Sequence, residues 1–353
     1  FKTLTNNDTT STRTLLHEAI PITGTLVSGT YTGDGNIRDY SHGMFQSTYD
    51  YPYLSSSANH IFDITAGYAS SSALSGTSNR VQNSKKINIY NQMAQVLAGY
   101  DATGSIQDFD RDGDLTGGNK ITEAFFLNFA RLLSKDEIKK ESFEIKVLTG
   151  SWPEALTLPM TISDYGATNA YKINSPAGEY GILYTSSATP NTNSGVGLIY
   201  YQAGVCVLTA SIFSGSNPTP ASDSVIHQGF GQLGATYDTG SVDRVLSGSA
   251  ITASCDGLRN RIQNIQFNNT TELNSTIYFC RANHNDFNYS SNPTYLSGSK
   301  IRVKNNSTDS PVSYITTVGL YSADNELLAV AKLSEPIKKN PETELTLRVR
   351  LDY

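Results

Sequence analysis

The stretch from Tyr314 to Pro336 restricts the fold more than any other part of this chain. Two β-prone arms, residues 314–321 and 326–333, flank a polar turn at Asp324-Asn325. Asp and Asn tolerate a positive φ and close tight turns, so the segment reads as a β-hairpin. Residues 344–353 add a strict alternation. Leu345, Leu347, Val349, Leu351 and Tyr353 fall on one face, and Thr346, Arg348, Arg350 and Asp352 on the other. A period of two belongs to a half-buried antiparallel strand. With further strand candidates at residues 276–281 and 300–304, the last part of the chain predicts an antiparallel, sandwich-like β-module.

Composition favours the same class. Charged residues make up 16% of the chain, against roughly 25% in an average soluble domain. Ser, Thr, Asn and Gly stand in their place, together with 21 Tyr. That balance disfavours long exposed helices and suits strands joined by polar turns. The formal net charge is −6, and no basic stripe is present, which argues against a nucleic-acid surface built from clustered Lys and Arg. No apolar run reaches the roughly 20 residues of a membrane-spanning helix. Cys206, Cys255 and Cys280 lack metal-ligand spacing and read as reduced, buried thiols. The opening Phe1-Lys2, without Met, reads as a processed or trimmed start.

The pattern predicts three domains: a mixed α/β domain over 1–150, a β-rich domain over 151–270, and the C-terminal module over 271–353. Residues 85–98 place Ile89, Met93, Val96 and Leu97 at helical spacing, with Gly99 as a stop. Residues 122–140 do the same with Phe125, Phe126, Phe129, Leu132 and Leu133, so a helix pair is expected near 85–140. A capping box from Ser134 to Glu137 starts a further short helical segment. Residues 143–148, 178–184, 195–201 and 204–213 read as strands, and 258–267 is ambiguous between helix and strand. The fold class is therefore mainly β with a helical segment, α+β.

One motif points to chemistry. Asp108-Phe-Asp-Arg-Asp-Gly-Asp-Leu-Thr-Gly-Gly-Asn119 fits a calcium-loop template, with Asp108, Asp110 and Asp112 at positions one, three and five and Asp114 at seven. Gly113 takes the turn position and Leu115 the apolar one, and the loop lies between the two expected helices, as in an EF-hand. Position twelve is Asn119 instead of the bidentate Glu, and Glu123 comes four residues late. The ligand set is incomplete, implying weak Ca²⁺ binding, another cation geometry, or a plain Asx-bonded turn. Nothing else resembles a cofactor site or a hydrolase. The five His are scattered without paired spacing, and no nucleophile elbow or Walker loop occurs. Two aromatic groups are candidate interfaces. Tyr40, Phe45, Tyr49, Tyr51 and Tyr53 lie in one dense patch, which also suits stacking on sugars or filling a local core; Phe287, Tyr289 and Tyr295 lie in an Asn/Asp-rich segment.

Several stretches carry a family resemblance. They are Arg281-Ala-Asn-His-Asn-Asp-Phe-Asn-Tyr-Ser-Ser-Asn-Pro-Thr-Tyr295, Thr316-Thr-Val-Gly-Leu-Tyr321, Leu327-Leu-Ala-Val-Ala-Lys332 and Leu347-Arg-Val-Arg-Leu-Asp-Tyr353. His42-Gly-Met-Phe45 and Tyr51-Pro-Tyr-Leu-Ser-Ser-Ser-Ala-Asn-His-Ile-Phe-Asp63 extend it into the first half. Together they resemble virion structural proteins of marine T4-like tailed phages, cyanophages included. The Gly-Leu-Tyr hairpin is also similar to one in tail-fibre collar domains. The resemblance implies no catalysis and no cofactor. It implies a virion component assembled in the host cytoplasm, in the tail, baseplate or fibre-attachment region. Its partners would be other virion proteins and copies of itself. Two alternatives stay open at this point: a capsid, neck or decoration protein, and a carbohydrate-binding adhesin module that takes a host surface glycan on residues 40–53. A glycosidase on a β scaffold would need paired carboxylates about 5 to 10 Å apart in a cleft.

Overall fold

The computed structural model describes residues 2–21, 35–76, 80–118, 120–148, 159–185, 195–213, 246, 250–259, 262–290, 292–297, 300–301, 308 and 310–353. The chain is mainly β with few helices. It divides into two compact units, a smaller one of Phe1–Leu15 with Glu272–Tyr353 and a larger one of Leu16–Thr271. No described helix is long and apolar enough to cross a membrane.

The larger unit is built on one sheet. Its strands begin with β1 (Thr9–Pro21, from Leu16 onward), β2 (Ile37–Asp39), β3 (Gln46–Tyr49) and β4 (His60–Tyr68). Next come β5 (Phe109–Asp110), β6 (Lys120–Ile121), β7 (Glu123–Phe129), β8 (Glu137–Ile138) and β9 (Glu144–Leu148). They close with β10 (Pro159–Ser163), β11 (Tyr180–Tyr184), β12 (Gly195–Tyr200), β13 (Val205–Thr209) and β14 (Ile262–Ala282, as far as Thr271). The sheet order is β1-β14-β9-β10-β11-β12-β13-β7-β4-β3-β2, with β8 also on β14 and β5 paired with β6 apart from it. Strands on both sides of residue 150 are thus neighbours, since β10 pairs antiparallel with β9.

The second expected helix is a strand. β7 sits in the sheet interior, antiparallel to β13 on one side and β4 on the other. Its side chains are buried on both faces. Phe126 joins a ring cluster with Tyr90 (6.3 Å between centroids) and Phe109 (5.7 Å), while Phe129 joins Phe62 (6.2 Å), Phe143 (5.9 Å) and Phe267 (5.0 Å). A strand covered on both sides reads as a continuous apolar run, and such a run imitates helical spacing. The expected capping box also fails: Ser134 ends a four-residue helix, Lys135 takes φ 54°, and Glu137 enters β8.

The first expected helix does form, over Arg80–Leu97, and ends at Gly99 with φ 86°. Of the expected face, Ile89 and Leu97 are buried, Met93 is half-buried and Val96 is exposed, while Tyr90 and Ala94 also face the core. It packs closely on β4, where a Cβ added at Gly67 would lie 2.6 Å from the Lys86 carbonyl oxygen. A second helix, Ile251–Arg259, reaches the same strand, the Cys255 thiol donating to the Ile64 carbonyl at 3.2 Å. The ambiguous stretch 258–267 divides between the end of this helix and the start of β14. Cys206 and Cys255 are buried, Cys280 is half-buried, and all three are free thiols.

In the smaller unit, β14 from Glu272 onward pairs antiparallel with β19 (Leu345–Asp352), Thr276 opposite Leu351 through Ala282 opposite Leu345. The expected alternation is present along β19 as half-buried and exposed residues by turns, though Tyr353 is exposed. β15 (Leu296–Ser297) pairs with β16 (Lys300–Ile301), and residues 302–304 of that expected strand lie outside the described residues. The opening hairpin forms as β17 (Ser313–Tyr321) and β18 (Leu327–Lys339), a two-stranded sheet turning at Asn325 with φ 64°.

Candidate functional site

The aspartate loop is no EF-hand. The long helix precedes it, but β5 and β6 bracket it and the strand β7 follows. Asp110, Asp112 and Asp114 converge, each offering a carboxylate oxygen within 4.8 Å of the others. Asp108 is not among them; its Oδ2 accepts from Ser71 Oγ at 3.2 Å. Asp110 Oδ1 accepts the Asp112 N–H (3.1 Å), Asp112 Oδ1 that of Asp114 (3.3 Å), and Asp114 Oδ1 that of Thr116 (2.7 Å). These are successive Asx turns, with Gly113 and Leu115 at φ 70° and 63° reversing the chain. Asn174 Nδ2 and the Tyr180 hydroxyl donate to the Gly113 carbonyl at 3.0 and 3.3 Å, tying the loop to β11. Lys120 Nζ lies 2.5 Å from Asp110 Oδ2. Burial pushes the Asp110 carboxyl above its ordinary value and Asp112 adds to it, while Lys120 opposes. Three carboxylates of this kind suit a hard cation, which here would share Asp110 with an ammonium. Asn119 lies outside the described residues.

Four of the five rings of the 40–53 patch come together. Tyr40 lies against Phe45 (4.7 Å) and His42 (5.2 Å), and Tyr49 against Tyr53 (6.2 Å) and His60 (5.5 Å). The Arg38 guanidinium joins the two groups, 4.7 Å from the Tyr40 ring and 5.9 Å from that of Tyr53. Tyr51 is exposed. Beneath the ribbon, Ser47 Oγ donates to Asp63 Oδ1 at 2.5 Å, and His60 Nε2 lies 2.7 Å from the same oxygen. Seryl nucleophiles need the imidazole between hydroxyl and carboxylate. Here the carboxylate is in the middle, so the arrangement is structural.

Three buried polar groups each have a partner far away in the chain, which local spacing does not signal. Asp164 accepts from the Tyr201 hydroxyl (2.9 Å), the Glu141 N–H (2.7 Å) and the Phe143 N–H (3.0 Å). Burial pushes its carboxyl up to about 6 against the pull of these donors. Arg259 donates through Nε to Gln46 (3.2 Å) and through a terminal nitrogen to Asp256 (2.9 Å), joining the second helix to β3. Lys86 donates to the Leu246 carbonyl, and burial pulls its ammonium down to about 8.

In the smaller unit the Asn/Asp-rich segment is anchored by a buried lysine. Lys339 Nζ donates to the His284 carbonyl (3.2 Å), Asn288 Oδ1 (2.8 Å) and the Asn340 carbonyl (2.9 Å). The segment holds Phe287 at φ 55° and leaves Phe287 and Tyr289 exposed. The side chain of Tyr295 lies outside the described residues.

The chain matches no family model, no curated protein and no solved structure.

Proposed function

We propose that the chain is a non-enzymatic structural subunit of a tailed-phage particle, in its tail, baseplate or fibre-attachment region. It works there through contacts with other virion proteins and with copies of itself. The family resemblance of residues 281–353 supports the setting. One observation supports the assembly role: among the described residues, Ala282 and Leu320 are the only buried apolar side chains of the smaller unit. A β-module of this size without a core of its own is completed by surfaces from other chains. The exposed Tyr314, Leu327, Leu328, Val330 and Tyr353 are the material for such contacts. The test is to purify the particles of the phage that encodes the chain, identify the chain among their proteins and locate it by imaging. The reading expects a fixed copy number in intact particles; recovery of the chain only as free protein contradicts it.

The ring ribbon supports a second reading, an adhesin that stacks a host glycan on Tyr49, Tyr51 and Tyr53. Glycan-array binding abolished by Tyr51→Ala would support it, and a blank array would remove it.

A further inference from the structure

The ring ribbon holds a cation that no described carboxylate neutralises. Arg38 stands exposed in β2, its guanidinium 4.7 Å from the Tyr40 ring and 5.9 Å from that of Tyr53. Among the described residues no carbonyl or carboxylate accepts from its N–H groups. The carboxylates of residues 37–63 are engaged elsewhere. Asp39 follows Arg38 in the strand and so points to the other face of the sheet, where it accepts from Gln46 Nε2 at 3.0 Å. Asp63 accepts from Ser47 and lies against His60, while Asp50 accepts from the Asn59 N–H and Nδ2 at 2.6 and 2.8 Å.

The groups around this cation are held in place by the chain itself. Tyr40, the ring nearest the guanidinium, packs against Phe45, and its hydroxyl lies 3.2 Å from the buried Ser47 Oγ. Tyr53 is fixed through its backbone, whose N–H donates to the Gly35 carbonyl at 2.7 Å. Pro52 closes on Gly35 so tightly that a Cβ added at Gly35 would lie 3.0 Å from the Pro52 Cβ. The Tyr49 N–H donates to the Asn36 carbonyl at 2.9 Å. Little ordering is left for a ligand to impose. Tyr53 and Tyr51 nevertheless stay exposed. An exposed ring beside a held guanidinium offers one ligand two surfaces: an apolar face for the C–H side of a sugar ring, and a planar fork of N–H donors for an anion. A carboxylate matches that fork in shape and in charge, whereas a phosphate monoester carries about twice the charge that a single guanidinium balances.

We infer that the glycan of the adhesin reading is acidic: a carboxylate-bearing sugar, uronic or sialic in type, that stacks on Tyr53 and sets its carboxylate on Arg38. This names the ligand class of the second reading above and rests on that reading. A neutral sugar forgoes the charge-assisted hydrogen bonds and leaves the guanidinium to water, so the acid is preferred.

Isothermal titration of the full chain tests it, with far-UV circular dichroism confirming that each variant folds. The probes are a hyaluronan tetrasaccharide and sialyllactose as the two acidic sources, lactose as the neutral sugar, and oligothymidylate as a polyanion without a sugar carboxylate. The better acidic probe binds about tenfold more tightly than lactose and names the source. Arg38→Ala removes that preference, and Arg38→Lys, which keeps the charge without the fork, retains only part of it. Tyr53→Ala weakens acidic and neutral sugars alike. Equal binding of acidic and neutral sugars, or an Arg38→Ala variant that keeps the preference, overturns the inference and leaves the adhesin reading standing. Oligothymidylate held as tightly as the acidic sugars makes this a general polyanion surface and overturns the inference as well. Binding of none of the sugars removes the adhesin reading and the inference with it.

Discussion

The two units spend their apolar residues in opposite ways. In the larger one, β4, β7, β11, β12 and β13 are buried almost throughout, and rings from distant strands interlock on both faces of β7. In the smaller one, β18 is nowhere apolar and buried, and β19 alternates only between half-buried and exposed. Both are antiparallel β structure. The difference teaches that strand pattern fixes the local conformation, while burial depends on whether a second surface exists to close the face.

Substitutions sharpen the contrast, beginning with the largest effect. Phe126→Ala removes a ring from the centre of the larger unit and costs about 3–5 kcal/mol in chemical denaturation. Next is a pH effect confined to the larger unit. The Asp164 carboxyl titrates near 6 when folded, above its ordinary value of 3.8, so the native state holds the proton more tightly than the unfolded chain. Its contribution is therefore present below about pH 4 and is lost as pH rises through about 6, amounting to about 3 kcal/mol. Denaturation of wild type and Asp164→Asn across pH 4–7 checks this; the difference between the two curves carries that slope.

Two glycines give a smaller, paired comparison. At Gly67→Ala the new Cβ meets Lys86 and Tyr90 backbone atoms at 2.6 and 2.9 Å, so the helix must move, at roughly 1–3 kcal/mol. At Gly319→Ala the Cβ meets the ring of the exposed Tyr321 at 2.9 Å, a side chain at the surface and not backbone, and thermal melting shifts little. Smallest of all, Leu328→Ala changes the unfolding free energy of the isolated monomer by less than about 0.5 kcal/mol while weakening self-association.

The C-terminal elements were legible because one face of each strand is open, so the period of two survives in the sequence. Asp324-Asn325 turns the hairpin as its residue types require, and Asn325 takes the positive φ. β7 was illegible for the opposite reason: Phe125, Phe126, Leu127 and Phe129 are apolar on both faces, and their spacing fits a helix as well as a strand. The aspartate loop was half legible. Three carboxylates do converge, but its helical flanks depended on the misread β7, and the Lys120 contact gave no sign in advance. Asp164 and Tyr201, or Arg259 and Gln46, meet only through the sheet order, which no local pattern encodes.

The central claim is that the smaller unit obtains from another chain the cover it does not make itself. Hydrogen exchange read by mass spectrometry, at protein concentrations below and above the onset of self-association, tests it most directly. The account predicts that amides of residues 327–333 exchange quickly in the dilute protein and become protected as concentration rises, while those of β7 are slow throughout. Protection of residues 327–333 that is already as strong as that of β7 in the dilute monomer, or that never changes with concentration, would contradict it.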